Sequence, residues 1–215
     1  MKNKLTKKLL KSLNKPKKFN TTKSIKGLFA NRFLTDGNLF ITTYDLVSKT
    51  EYFQNKNYRA KIIVELMMSI ETSLKSLILS LSKDDETVIN AYKKAKGCSH
   101  DINKLYHEVK CRSKNRIKIL DKPKIFVDIK NLKVSSRYSI ELFLIEYDNK
   151  NKEDKLINKT INNSKWVLEL RNYAVQFNNL ASRSYSRFMQ KHTILNGKDF
   201  SERNKELTSF IEKLK

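Results

Sequence analysis

The residues in this sequence with the types and spacing to do chemistry are arginines, an asparagine and a histidine near its carboxyl end. Arg171 and Asn172 lie within 164–190, among residues typical of a helical core, so we expect a functional or interface role for them. Four residues separate Arg187 from His192. Such side chains are about one and a half helical turns apart and could converge on one phosphate, His as a base and Arg as a fixed charge. The alternative interpretation is an ordinary basic helix end, which the helix dipole favours.

The overall charge indicates a polyanionic partner. Lys and Arg total 45 against 22 Asp and Glu, which gives a net charge of +23 at pH 7. A magnitude of roughly 2–8 is enough for solubility in a small domain, and a larger excess increases self-repulsion of the folded chain. Nucleic acid, and RNA first, is therefore the expected partner, with an anionic membrane surface as the second candidate.

The first 35 residues are predicted to form a basic N-terminal arm. Residues 1–35 contain eleven Lys and Arg, and no acidic residue precedes Asp36. Leucines recur at helical spacing before Pro16, which predicts a short amphipathic helix formed around Leu5, Leu9, Leu10 and Leu13. Such a helix suits RNA phosphates, a membrane surface or a protein partner, or it docks on its own body with its lysines in solvent. The predicted nucleic-acid contacts are Lys7, Lys8, Lys11, Lys17, Lys18, Arg137 and Arg183.

Residues 36–215 are predicted to form one all-α helical domain. Only four Gly and two Pro are present, too few turn-forming residues for a sandwich, a barrel or a doubly wound sheet. Apolar residues at a 3.6-residue period predict helices over 59–82, 86–96, 101–112, 137–148, 164–190 and 201–213.

Three shorter stretches are read differently. Asp36-Gly37 reads as a turn, and the pattern over 36–58 leaves strand and helix open. Alternating apolar residues allow a short β element around 120–135, formed by Ile125, Val127, Ile129 and Leu132. The stretch 149–163 reads as a charged Asn/Lys linker.

The sequence lacks the motifs of most other classes of enzyme. The sequence contains no Gly-rich phosphate loop, paired CxxC, HExxH or GxSxG. His100 and His107 lie seven apart, but three His and two Cys in the whole chain lead us to expect no metal and no cofactor. No apolar run is long enough for a transmembrane segment, and no secretory signal is evident. Cys98 and Cys111 as two lone cysteines favour a reduced, cytoplasmic location.

Four segments carry a resemblance to a known family, namely residues 64–75, residues 99–105, Ser136-Arg137-Tyr138 and the stretch from Leu170 through Arg183. Together they resemble the HEPN superfamily, and they are most similar to its abortive-infection branch (the AbiD/AbiF type). Residues 64–75 resemble the first long HEPN helix, and 99–105 resemble the His-Asp-Leu start of a middle helix. Ser136-Arg137-Tyr138 resembles an Arg-Tyr pair found before the later helices. The stretch from Leu170-Arg171-Asn172 through Leu180 and Arg183 resembles the abortive-infection pattern on a later helix. The likeness covers roughly 59–192.

The resemblance implies a helical bundle that dimerises, with Arg and His of both protomers meeting in a cleft that cuts RNA without metal. The catalytic residues it suggests here are Arg171, Asn172, Gln176, Arg187 and His192. Gln176 stands near the place where the family has His, and an amide cannot exchange a proton as a base.

Three functions therefore stay open. The first is a metal-independent endoribonuclease of phage defence or a toxin–antitoxin module, with an RNA or protein antitoxin. The second is a non-catalytic RNA-binding protein with a degenerate site. The third is a basic adaptor that binds a membrane or an acidic protein through its N-terminal helix.

Overall fold

The fold is helical throughout the part of the chain that the computed structural model describes, which is residues 20–113, 117–132, 153–189 and 197–214. The elements within these ranges are α1 Thr21–Val47, a 3-10 helix Glu51–Gln54, α2 Lys56–Ser80, α3 Val88–Gly97, α4 Ile102–Ser113, α5 Ile125–Asn131, α6 Glu153–Lys159, α7 Ser164–Met189 and α8 Gly197–Glu212. The prediction of an all-α bundle is confirmed, and no strand is present in these ranges.

Helix α2 forms the centre of the bundle. Its apolar side chains are fully or almost fully buried, among them Ile63, Leu66, Ile70, Leu74 and Leu77. Helices α1, α4 and α7 surround it, and they contribute buried residues such as Leu105, Val109, Leu170, Ala174 and Phe177 to the same core. Because apolar residues occupy more than one face of α2, neighbours can cover it on several sides.

Small residues allow α1 to pack closely and antiparallel against α2. The hydroxyl of Ser69 donates to the carbonyl oxygen of Gly37 at 2.8 Å, and the hydroxyl of Ser76 donates to the carbonyl oxygen of Ala30 at the same distance. A Cβ atom on Gly37 would lie 2.8 Å from Asn178 Nδ2 and 3.0 Å from Thr72 Oγ1. Gly37 is therefore needed for the close approach of three helices.

Substitution of Gly37 by Ala is expected to destabilise the protein. Helix propensity alone would favour Ala by about 1 kcal/mol, but the added methyl group must displace the Asn178 amide, which donates to Leu34 O and Ser73 Oγ. We expect the free energy of unfolding to fall by about 1–3 kcal/mol. Gly97→Ala is the matched control, because no described atom beyond its own stretch of backbone lies within 4 Å of its Cβ position. Equal urea midpoints for the two variants would contradict this explanation.

The long periodic segments fold as predicted. The helices expected over 59–82, 86–96, 101–112, 164–190 and 201–213 are confirmed with ends shifted by a few residues. Asp101 caps α4, since its Oδ1 accepts from the backbone N–H groups of Asn103 and Lys104 at 3.0 Å. Ser99, two residues before this cap, has a left-handed φ of 49°.

The β element expected around 120–135 is wrong, because 125–131 forms helix α5. Ile125, Phe126, Ile129 and Leu132 are buried whereas Val127 is 64% exposed, which is a helical spacing of buried positions. The contacts that this segment makes with other helices favour the helical pattern over the alternating pattern of a strand. Asp128 on α5 accepts from Trp166 Nε1 at 3.1 Å and from Lys159 Nζ at 2.7 Å.

Three other local predictions differ from the structure. The turn at Asp36-Gly37 is wrong, because α1 continues through both residues. The stretch 149–163, predicted as a linker, contains helix α6. Ile157 and Ile161 anchor this stretch because they are buried, although Asn and Lys surround them in the sequence. Helix α1 also crosses the boundary drawn between an arm and a body at residue 35, and Lys26, counted in the arm, is fully buried. The predicted helices at 5–13 and 137–148 lie outside the described residues.

Candidate nucleic-acid interface

Helix α7 has one buried face and one exposed polar face. Its buried face consists of apolar residues, namely Trp166, Val167, Leu170, Ala174, Phe177 and Ala181. The exposed residues recur three or four positions apart and therefore share the opposite face, formed by Lys165, Glu169, Asn172, Gln176, Asn179, Arg183 and Arg187. This face contains four of the residues that sequence analysis selected, Asn172, Gln176, Arg183 and Arg187.

Three cations line a small pocket beside the carboxyl-terminal half of α7. Lys118, in the segment that follows α4, lies across from Arg183 and Arg187, and the cavity between them has a volume of about 170 Å³. Ile117, Leu180 and Ser184 complete its wall. No carboxylate is among these described lining residues. We call this site the cationic pocket.

The three cations of the pocket are not neutralised by carboxylates in the described part of the chain. Among the described residues, Arg183 makes one hydrogen bond, from Nε to the carbonyl oxygen of Asn179 at 3.4 Å, and its two terminal nitrogens have no partner there. The side chains of Lys118, Arg183 and Arg187 are all exposed. An anion bound here would relieve the repulsion among three like charges, and a phosphate matches the planar donor set of Arg.

Arg171 is held in a different environment, on the flank of α7 that faces α1. Its Nε and one terminal nitrogen donate to the two carboxylate oxygens of Asp45 at 2.6 and 2.7 Å. The hydrogen bond from Arg171 is the main reason why the pKa of Asp45 lies below its usual range. Arg183 lies twelve positions after Arg171, which is about 18 Å along a helix. The structure therefore brings Arg183 and Arg187 together with Lys118, but not with Arg171.

The Arg171–Asp45 pair is expected to contribute little to stability. Both side chains are about one third exposed, at 34% and 32%, so solvent screens their attraction. A double-mutant cycle with Arg171→Ala and Asp45→Ala should give a coupling of about 0.5–1 kcal/mol at pH 7. Because pairing lowers the pKa of Asp45, this coupling should disappear as the pH falls through the native pKa of that group. A coupling that persists in acid would show that another contact links the two residues.

Several sequence-predicted residues lie outside the described part of the chain. These are His192, Lys7, Lys8, Lys11, Lys17, Lys18 and Arg137. The proposed convergence of Arg187 and His192 therefore stays a prediction. Lys118 is the pocket residue that sequence reasoning missed, because nothing in the spacing shows that the segment after α4 meets α7.

The histidines within the described residues make other contacts. His100 Nδ1 lies 2.9 Å from an oxygen of the buried Glu71, whose other oxygen accepts from Lys75 Nζ at 2.6 Å. His107 Nε2 lies 3.6 Å from Cys111 Sγ on the same helix. No group of three or more His, Cys, Asp and Glu residues in the described ranges is arranged to hold a metal ion. None of the helices in these ranges is both long and apolar enough to cross a membrane.

Comparisons with known proteins give no relative for this chain. No protein-family model matches it, and neither a curated protein nor a solved structure shows a significant match.

Proposed function

We propose that this protein binds RNA and that phosphates of the RNA occupy the cationic pocket on α7. The observation that carries the proposal is the convergence of Lys118, Arg183 and Arg187 in a pocket whose described lining residues include no carboxylate. The net charge of +23 supports it, because such an excess attracts a polyanion over long range. Asn172, Gln176 and Asn179 lie along the same exposed face and provide hydrogen-bonding groups for sugars or bases.

Salt-dependent binding of RNA tests this proposal. Each neutralised phosphate of a single strand contributes about −0.7 to the slope of log K against log salt concentration, so three pocket cations predict a slope of about −2 or steeper. The measurement is fluorescence anisotropy with a labelled mixed-sequence RNA over a range of NaCl concentrations. A slope near zero, or no binding at low salt, would contradict the proposal. Retention on anionic vesicles but not on RNA would favour the basic adaptor.

A metal-independent endoribonuclease is the second candidate. The position of Arg187 in the pocket favours it, because Arg187 precedes His192 by the separation expected for a base and a phosphate clamp. RNA cleavage in EDTA that His192→Ala abolishes would support this candidate. Bound but intact RNA in the same assay would favour a non-catalytic RNA-binding protein.

The resemblance to the abortive-infection branch of the HEPN superfamily extends this proposal. It suggests a homodimer formed through α7, a cytoplasmic role in phage defence or a toxin–antitoxin module, and an RNA or protein antitoxin. Light scattering at tens of micromolar tests the dimer, and a monomeric mass would count against a site shared by two protomers.

A further inference from the structure

A histidine and a buried glutamate form a pair outside the cationic pocket. His100 lies in the turn between α3 and α4, and its Nδ1 is 2.9 Å from Oε2 of Glu71 on α2. The side chain of Glu71 is 3% exposed, whereas that of His100 is 56% exposed. The other carboxylate oxygen of Glu71 accepts from Lys75 Nζ at 2.6 Å. The pair therefore joins an accessible imidazole ring to a carboxylate that is almost completely shielded from solvent.

The hydrogen bond to Glu71 fixes the tautomer of His100. An ionised carboxylate only accepts hydrogen bonds, so Nδ1 of His100 is the nitrogen that carries the proton and donates it. Nε2 of the neutral ring then carries the lone pair, and it has no hydrogen-bond partner among the described residues. A new bond at Nε2 would make the ring positive, and the carboxylate at Nδ1 would stabilise that charge. This is the arrangement of an activated nucleophile whose ring a third group holds in place.

The backbone on both sides of His100 is constrained as well. Ser99 has a φ of 49°, a left-handed conformation that residues other than glycine seldom adopt. Asp101 is fixed by capping α4, where its Oδ1 accepts from two backbone N–H groups. Constrained backbone of this kind is concentrated at functional sites. The turn therefore holds the His100 ring in position together with the hydrogen bond to Glu71.

The ring of His100 lines a cavity of about 340 Å³ between α2, the start of α4 and α5. The titratable residues of its described lining are His100, Asp101 and Lys130. Asp101 is engaged as the cap of α4, and its other oxygen lies 3.8 Å from Lys104 Nζ. Lys130 is exposed and has no carboxylate partner among the described residues. The groups left for a ligand are the lone pair of His100 Nε2 and the ammonium group of Lys130, which together suit an electrophile that carries negative charge.

We propose that His100 is a phosphoryl-acceptor site, at which Nε2 takes the phosphoryl group of a small donor such as a phosphoramidate or an acyl phosphate. The lone pair of Nε2 attacks phosphorus and an N–P bond forms. The bond from phosphorus to the leaving group breaks, and its electron pair goes to the leaving group. Lys130 attracts the anionic donor, and Glu71 stabilises the positive charge that the ring gains. An uncharged acyl donor would gain nothing from Lys130, so the site favours phosphoryl transfer.

Potassium phosphoramidate tests this proposal on the full chain, because it transfers its phosphoryl group to imidazole nitrogens and releases ammonia. Mass spectrometry at neutral pH locates the modified histidines, and ³¹P NMR distinguishes the Nε2 product from the Nδ1 product. His107 is the matched control within the chain, since it is exposed and its described contact is with Cys111 Sγ at 3.6 Å, not with a carboxylate. We expect His100 to be phosphorylated on Nε2, at least ~5-fold faster than His107.

Variants separate the two groups that assist His100. Lys130→Ala should lower the rate of phosphorylation at least ~3-fold, whereas Lys122→Ala, at an exposed residue outside the cavity, should leave it unchanged. Diethyl pyrocarbonate, an uncharged imidazole reagent, should modify His100 equally in both variants. Glu71→Gln should slow phosphorylation of His100 but not of His107, because a neutral amide cannot stabilise the charged ring.

Three results would overturn the proposal. They are phosphorylation of His100 no faster than that of His107, a phosphoryl group on Nδ1 of His100, and equal rates for Lys130→Ala and Lys122→Ala. The first two are measured on the wild-type chain, so they decide the question even if Glu71→Gln fails to fold. None of these measurements involves RNA, so the outcome is independent of the proposed function.

Discussion

Substitution of Arg112 by Ala is expected to lower the free energy of unfolding by about 3–5 kcal/mol, because it removes the main partner of the largely buried carboxylate of Glu86 and leaves it only the longer contact with Lys94. Arg112 donates from both terminal nitrogens to the carboxylate of Glu86 at 2.7 and 2.8 Å, and from Nε to Glu108 at 2.7 Å. Its side chain is 9% exposed and that of Glu86 is 11% exposed. One terminal nitrogen also donates to the carbonyl oxygen of Ile78 at 3.2 Å, which ties α4 to α2.

The pH dependence of this loss identifies its origin. Burial raises the pKa of Glu86, but the hydrogen bonds and charge of Arg112 lower it by a larger amount. The pKa of Glu86 therefore lies below the ordinary 4.5. A carboxyl group with a lowered pKa stabilises the native state above its unfolded pKa, and that stabilisation is lost as the pH falls through the native pKa. The difference between wild type and Arg112→Ala should therefore shrink in acid. Urea denaturation at several pH values measures it, with exposed Arg32→Ala as the control. A loss below 1 kcal/mol at pH 7 would contradict this account.

Reversal of two charges in the cationic pocket is expected to have the largest effect on RNA binding. Arg183→Glu with Arg187→Glu should weaken RNA binding by roughly 100-fold at low salt, because two phosphate contacts are lost and two repulsive carboxylates are added. Both side chains are exposed, so the fold should tolerate the change. Fluorescence anisotropy with the same labelled RNA measures the dissociation constant.

A matched variant separates the pocket from the overall charge. Lys61→Glu with Lys205→Glu changes the net charge equally, and both lysines are exposed and do not line the pocket. We expect this control to lose far less affinity than the pocket variant. Equal losses would mean that RNA responds to the total charge of the protein and that the pocket has no special role.

The sequence predicts the helices well wherever a long apolar period is present. The pattern of α7 is visible because its buried residues share one face, and that of α2 because apolar residues recur along the whole helix, although they cover more than one of its faces. Short segments are less well predicted. A segment of seven residues, such as α5, fits both the helical and the strand period of apolar residues until its contact partners are known. Gly37 illustrates a similar limit, because its role is set by Asn178 and Thr72 from two other helices.

The roles of charged residues are harder to predict from the sequence. Lys26 was assigned to a basic arm, but it is fully buried and its Nζ donates to the carbonyl oxygen of Lys83 at 2.9 Å. Burial is also the main reason why its pKa is lowered. Arg171 was a candidate catalytic residue, and its pairing with Asp45 depends on the antiparallel arrangement of α1 and α7. Arg183 was selected as a nucleic-acid contact and is exposed, but its convergence with Lys118 could be seen only in the tertiary structure.

Lysine footprinting of the full chain tests the central claim most directly. Lys118 lines the cationic pocket, whereas Lys61 and Lys205 are exposed and lie outside it, so all three react with an amine-specific acetylating reagent in the free protein. If RNA phosphates occupy the pocket, saturating RNA should slow acetylation of Lys118 strongly and leave Lys61 and Lys205 nearly unchanged. Acetylation of Lys118 at the same rate with and without bound RNA would contradict the account.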